Sequence, residues 1–299
     1  MNGPAIHTDA LTKRFGTLTA VDQLDLRVER GEVFGYLGPN GAGKTTTIRM
    51  LLDFVRPTSG TSQVLGGSGA DPAVRARIGY LPADLPVDPR WTAQTLLDFY
   101  GDLRGRRDRT WERTLLDRFD LDPSRPVGEL STGNRRKVGI VQAASHRPEL
   151  LILDEPTSGL DPLLQQEFLI LIRELVTDGA TVFLSSHVLP EVEALAGRVA
   201  ILREGVVVAQ AGITELRRTA RTRIDLRLTV PADPAPFAAL PTVVEATADG
   251  DLLRLVVEGS VDAVIKTAAA LPVEQIITHE ADLEDVFLSY YTTQDGGRS

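Results

Sequence analysis

The segment Gly38-Pro39-Asn40-Gly41-Ala42-Gly43-Lys44-Thr45-Thr46 constrains this chain most. It fits the spacing G-x-x-x-x-G-K-[ST], in which glycines let successive backbone N–H groups converge on phosphate oxygens while the following helix turns its positive end toward them. Glu32 to Leu37 reads as a short strand before the loop, and Lys44 to Phe54 as a helix after it. Strand, glycine loop and helix in that order open a parallel α/β unit. In such a loop Lys44 reaches the β- and γ-phosphate oxygens, and the Thr45 hydroxyl ligates Mg2+.

A nucleotide site of this kind needs an acidic residue at the end of a second buried strand. Leu150-Leu151-Ile152-Leu153-Asp154-Glu155-Pro156 supplies one. Asp154 is the candidate for the magnesium shell, and Glu155, next to it, for polarising an attacking water. The competing reading, an acidic pair that merely starts a turn, loses weight beside the loop at 38–46. A third buried strand, Thr181 to Ser185, ends two residues before His187.

Composition narrows the rest. The 299 residues are 42% hydrophobic and 24% charged, enough to bury one large core or two modest ones. With 32 Lys and Arg against 41 Asp and Glu the formal charge is −9, which disfavours a nucleic-acid partner because phosphate neutralisation needs a basic face. Cysteine is absent, so disulfides, thiolate metal sites and cysteine nucleophiles drop out together. No apolar run approaches the ~18 residues of a membrane helix, and Asn2, His7 and Asp9 stand where a signal peptide needs apolar residues. The chain reads as cytosolic and soluble, with any membrane role supplied by a partner.

Along the chain, Leu24, Leu26 and Val28 alternate with Asp25 and Arg27 as a strand with one covered face. Residues 86–146 read as a helical insertion. Val199 to Ala209 reads as a hairpin turning at Glu204-Gly205. Arg217, Arg218, Arg221 and Arg223 look like a solvated linker, followed by a small domain with strands around Ile224 to Val230 and Leu252 to Val257 and a helix over Val261 to Ala270. The basic clusters Arg104-Arg106-Arg107-Arg109 and Arg135-Arg136-Lys137 lack interleaved aromatics, so a solvated face or partner contacts suits them better than nucleic acid. His7, His146 and His279 have no evident partner in the sequence.

Leu130-Ser131-Thr132-Gly133-Asn134, then Asp154-Glu155-Pro156-Thr157-Ser158-Gly159-Leu160-Asp161, then Ser185-Ser186-His187, resemble the motifs of the ATP-binding subunits of ABC transporters, in the order expected. The resemblance runs over residues 5–215. Within that family the chain is most similar to the drug- and antibiotic-resistance exporters of the daunorubicin-resistance type, whose C-terminal extension ends in a helix much like Ala281-Asp282-Leu283-Glu284-Asp285-Val286-Phe287-Leu288.

The resemblance implies an α/β P-loop NTPase of residues 1–216, with an antiparallel β subdomain and the helical insertion, and a small α+β domain of 217–299 for dimer contacts or regulation. It also implies a homodimer that closes head to tail on two ATP molecules with Mg2+, and a separate integral-membrane permease on whose cytoplasmic side it sits. Ser131 and Gly133 of one subunit would then meet the γ-phosphate held by the other. Asp161 belongs to the segment that crosses the interface, and His187 touches the γ-phosphate or the attacking water. Phe15 falls where an aromatic ring stacks on adenine, although a core phenylalanine at a strand end explains it as well.

Two departures stand out. The signature is commonly Leu-Ser-Gly-Gly-Gln, whereas this chain carries Thr132 and Asn134, which implies retuned dimer closure. Ala83 occupies a position usually held by glutamine, so Asp84 or solvent substitutes for it, or magnesium coordination differs. They leave room for a second reading, a slow or inactive ATPase that acts as a nucleotide-dependent regulatory module.

Overall fold

The computed structural model describes residues 3–105, 107–219 and 221–279. Two compact units divide between Gln210 and Ala211. In the first, strands β1 (Ile6–Phe15), β2 (Leu18–Val28) and β4 (Ser59–Val64) form an antiparallel sheet in the order β2-β1-β4. Leu24, Leu26 and Val28 are buried and the residues between them exposed, the period-2 pattern of a sheet covered on one face.

A second sheet has the order β5-β6-β7-β3-β8-β9, built from β3 (Val33–Leu37), β5 (Ile78–Leu81), β6 (Leu150–Asp154), β7 (Thr181–Ser186), β8 (Arg198–Arg203) and β9 (Val206–Gly212). The pairs β3·β7, β3·β8, β5·β6 and β6·β7 are parallel. Every residue of β3, β6 and β7 is buried, as parallel strands covered on both faces are. One core joins the two sheets, with Phe34, Tyr36 and Phe183 packed against Ile6, Val28 and Ile48. Glu204 and Gly205 both take positive φ in the two-residue turn between β8 and β9.

Helix α1 (Lys44–Leu51) follows β3, and the short α2 (Pro72–Arg75) precedes β5. The helical insertion is present as α3 (Ala93–Arg104), α4 (Arg109–Arg118) and α5 (Thr132–Ala144), between β5 and β6. Leu96, Leu97, Leu115, Phe119 and Val138 of this segment are buried. Helix α6 (Pro162–Thr177) buries Phe168, Leu171, Ile172 and Leu175, the i, i+3, i+4, i+7 stripe of a helix lying on a sheet. Helix α7 (Leu189–Leu195) follows β7.

The second unit contains α8 (Ile213–Thr219), α9 (Ala235–Ala238) and α10 (Asp262–Ala268) with strands β10 (Arg221–Leu228), β11 (Val243–Asp249), β12 (Leu252–Glu258) and β13 (Val273–His279). The strands pair antiparallel in the order β11-β12-β10-β13 over a core of Ile224, Leu226, Phe237, Leu253, Leu255, Val257 and Val264. Arg221 and Arg223 therefore lie in a strand, paired with Glu258 and Val256, where the sequence suggests a linker. Val230 lies beyond that strand and is exposed. The acidic segment 281–288 lies outside the described residues.

Candidate active site

The apolar strand β3 delivers the chain into the glycine loop. The Gly38 amide donates to the Ser186 carbonyl at 3.3 Å, and the Gly205 amide donates to the Ala42 carbonyl at 3.0 Å, so the loop is held from both sides. Only glycine fits at 43, where φ is 108° and a Cβ would stand 2.3 Å from the Ala20 carbonyl oxygen. Because α1 starts at Lys44, its opening amides lack intrahelical acceptors and form the positive end of the helix. Pro39, Asn40 and Gly41 are exposed, Gly38 and Ala42 are buried, and Thr46 lies on the first turn of α1.

Four side chains converge on that helix end. Asp154, fully buried at the end of β6, accepts from the Thr45 hydroxyl at 2.8 Å and from the Ser185 hydroxyl at 2.5 Å. Burial and the Asp154 charge push the neighbouring Tyr80 hydroxyl up to about 12. Lys44, buried, donates to the Gly38 and Pro39 carbonyls, and its ammonium lies 3.1 Å from Glu155 Oε1 as an ion pair not aligned for a hydrogen bond. The other Glu155 oxygen, Oε2, lies 2.8 Å from His187 Nδ1, while the His187 ring is 47% exposed. With Glu155 ionised, Nδ1 of a neutral ring carries the proton and donates. Glu155 itself sits at φ 50°, with its amide donating to the Ser185 carbonyl at 3.0 Å.

The segment 130–134 begins α5 beside this carboxylate pair. Ser131 is the N-cap, its hydroxyl accepting from the Asn134 amide at 3.3 Å. A Cβ at Gly133 would stand 3.0 Å from the Gly159 carbonyl, so this helix start packs closely on the loop after β6. One turn on, the Arg136 guanidinium is buried and donates to the carbonyls of Pro82, Ala83, Asp154, Glu155 and Pro156. A phosphate-binding helix end, a buried carboxylate beside a hydroxyl, and a second carboxylate between a lysine and a histidine together suit phosphoryl transfer to water.

The pattern of the ABC transporter family matches residues 21–158. The daunorubicin resistance ATP-binding protein DrrA3 of Streptomyces coeruleorubidus is 37% identical, over 96% of this chain and 96% of that protein. The chain belongs to the ATP-binding proteins of the ABC transporter family. It is an ATPase, and ATP is its substrate. The bacitracin transport ATP-binding protein BcrA of Bacillus licheniformis is 36% identical over 75% of this chain and 74% of that protein. A solved ATP-binding subunit of an ABC transporter superposes with a TM-score of 0.67 at 30% identity, covering 72% of this chain and 92% of its own.

The positions read from the sequence of this ABC ATPase fall into three groups. The loop 38–46, Asp154, Glu155 and His187 are joined by the contacts above. Ser131, Gly133 and Asp161 are linked to them through the chain rather than at the phosphate-binding end. Asp161 is the N-cap of α6, accepting from the Leu163 and Leu164 amides at 3.0 Å each. Asp161→Ala is expected to cost about 1 kcal/mol and to lower the Tm by roughly 2–4 °C, measured by thermal unfolding without nucleotide. Phe15 stands apart at the end of β1, 49% exposed with the Lys13 ammonium 4.9 Å from its ring centroid. It is not a core phenylalanine.

The basic clusters, which the sequence suggests as a solvated face or partner contacts, are solvated only in part: Arg109 and Arg135 are exposed, whereas the other described members are engaged within the chain. Arg107 pairs with Asp98 and Asp102, Arg104 lies over the Tyr100 ring at 5.1 Å, and Arg136 and Lys137 are buried. Arg106 lies outside the described residues. His279 has a partner after all, with Nε2 3.4 Å from Asp225 Oδ2. Sequence reasoning missed Arg136 as a site residue. No local signal singles it out, because every residue of α5 from Arg136 to Ala144 is buried and helical register distinguishes none of them.

Proposed function

We propose that this ATPase powers export of a small molecule, a drug, an antibiotic or a lipid-like compound, through a separate integral-membrane permease. The observation that carries the reading is the 37% identity to a daunorubicin resistance ATP-binding protein over 96% of both chains, C-terminal unit included. No described helix is long and apolar enough to cross a membrane, in keeping with a permease that supplies the span and holds the ATPase at the cytoplasmic face. Residues 1–216 act as the ATP engine, and residues 217–299 serve dimer contacts or regulation.

The Thr45 hydroxyl and the Asp154 carboxylate, 2.8 Å apart, offer hard oxygens that would hold Mg2+. An ion held there would neutralise developing phosphate charge. Lys44 and the opening amides of α1 take the β- and γ-phosphates. Lys44 and His187 both hold Glu155 in this structure, so a γ-phosphate that draws Lys44 to itself frees Oε1 to act as base. Water attacks phosphorus as the bond to the ADP oxygen breaks, and the water proton passes to Glu155.

Two copies close head to tail, with Ser131 and Gly133 of each reaching the γ-phosphate of the other and Asp161 in the segment between them. Phe15, with an exposed ring, stacks on adenine. ATP must bind the closed dimer more tightly than the open pair to shift that equilibrium, and loss of the γ-phosphate removes the bias.

Thr132, Asn134 and Ala83 favour one competing reading, a slow ATPase acting as a nucleotide sensor. Phosphate release from the purified chain, alone and with its copurified membrane subunit, separates the two. Turnover that rises with the permease and drives a compound across vesicles is the expected result. A complex that binds ATP but releases no phosphate supports the sensor.

A further inference from the structure

The Arg136 guanidinium uses all of its N–H donors at once. Nε donates to the Pro156 carbonyl at 2.9 Å, Nη1 to those of Pro82 at 2.6 Å and Ala83 at 2.7 Å, and Nη2 to those of Asp154 at 2.6 Å and Glu155. A guanidinium has five such donors in a rigid fork, so donors and acceptors match one to one. The residue is 6% exposed. Carbonyl oxygens crowded into one place repel each other, and the cation between them is what allows the chain after β5 and the chain after β6 to approach.

The same contacts bracket Glu155. At φ 50° this residue sits in a conformation that L-amino acids other than glycine and asparagine rarely keep, and such a residue persists only where its surroundings over-determine it. Its amide is fixed by the Ser185 carbonyl and its own carbonyl by Arg136, so the direction of its side chain is set from both sides. Arg136 belongs to α5, whose start carries Ser131 and packs Gly133 onto the Gly159 carbonyl. The segment after β5 is held through its main chain, whatever side chain stands at 83.

We propose that Arg136 is a positioning residue for hydrolysis, locking the peptide that carries Glu155 to the first turns of α5 so that the base and the signature segment of one chain move as one body. The role deepens the ATPase reading and rests on Glu155 as the base. Among the described residues the polar partners of Lys44 and Thr45 are Gly38, Pro39, Glu155 and Asp154, and Arg136 is not one of them. Its loss is therefore expected to lower kcat while sparing nucleotide affinity.

The test compares Arg136→Lys and Arg136→Gln with wild type in steady-state ATP hydrolysis, equilibrium binding of ATP and thermal unfolding. Lysine keeps the charge with three donors instead of five, and glutamine removes the charge. A fall in kcat of about tenfold for lysine, one decade in rate, and a larger fall for glutamine, with Kd for ATP within about threefold, is the expected result. The proposal is overturned if both variants turn over within twofold of wild type, if kcat and affinity fall together in step with the Tm, or if neither accumulates as folded protein. Glu155→Gln measured alongside separates this from the underlying reading. If it hydrolyses ATP at the wild-type rate, the base is misassigned, whereas the expected loss of turnover in Glu155→Gln together with unaffected Arg136 variants faults Arg136 alone.

Discussion

Glu155→Gln is expected to lower ATP turnover by about 10³-fold, the loss typical of removing a general base, while ATP stays bound. The amide keeps the shape of the carboxylate and can still pair with His187 Nδ1, but it cannot accept the water proton. It also loses its charge, so the Lys44 ammonium, 3.1 Å from Oε1 in the wild-type protein, no longer divides its attention between Glu155 and a phosphate. Affinity for ATP should therefore hold or rise. With hydrolysis blocked, the γ-phosphate bias is never removed, and gel filtration with ATP should show a dimer that is absent with ADP. Turnover at the wild-type rate would remove Glu155 from the mechanism.

Lys44→Ala is expected to weaken ATP binding by about 100-fold or more, because a charge-assisted bond to phosphate contributes about 1.5–3 kcal/mol and the proposed role of Lys44 is to bind two phosphates. The ammonium is held in place before any phosphate arrives, by the Gly38 and Pro39 carbonyls, so little ordering is needed when ATP binds. Alanine also leaves Glu155 facing the loop without its cation, adding repulsion toward an incoming anion. Isothermal titration with ATP measures the loss directly. Affinity within a few fold of wild type would mean that the helix end binds the phosphates without the lysine.

Much of the fold was legible because its signals are local. The alternation at Leu24, Leu26 and Val28, the all-apolar run Leu150 to Leu153 and the Glu204-Gly205 turn each depend on neighbours in the chain, and each appears as a strand or turn. Strand β4, Ser59–Val64, escaped notice because it is mostly polar and exposed, with only Val64 buried. Its partner β1 lies about fifty residues back in the chain and creates it by pairing, Ile6 opposite Val64. The arginines at 221 and 223 looked like a linker for a related reason, since charged side chains on the open face of a strand resemble a solvated loop.

By itself the sequence determined the phosphate loop, the acidic strand end, the histidine after the third buried strand and the order of the motifs, since these rest on residue type and short spacing. Only the tertiary structure decided how they are wired. It placed Glu155 between Lys44 and His187, gave Asp154 to two hydroxyls, made Asp161 a helix cap and turned an apparently solvated arginine into the tie between α5 and the end of β6. A charge's role depends on what surrounds it, and the carbonyls that surround Arg136 come from segments 18 to 54 residues away in the chain.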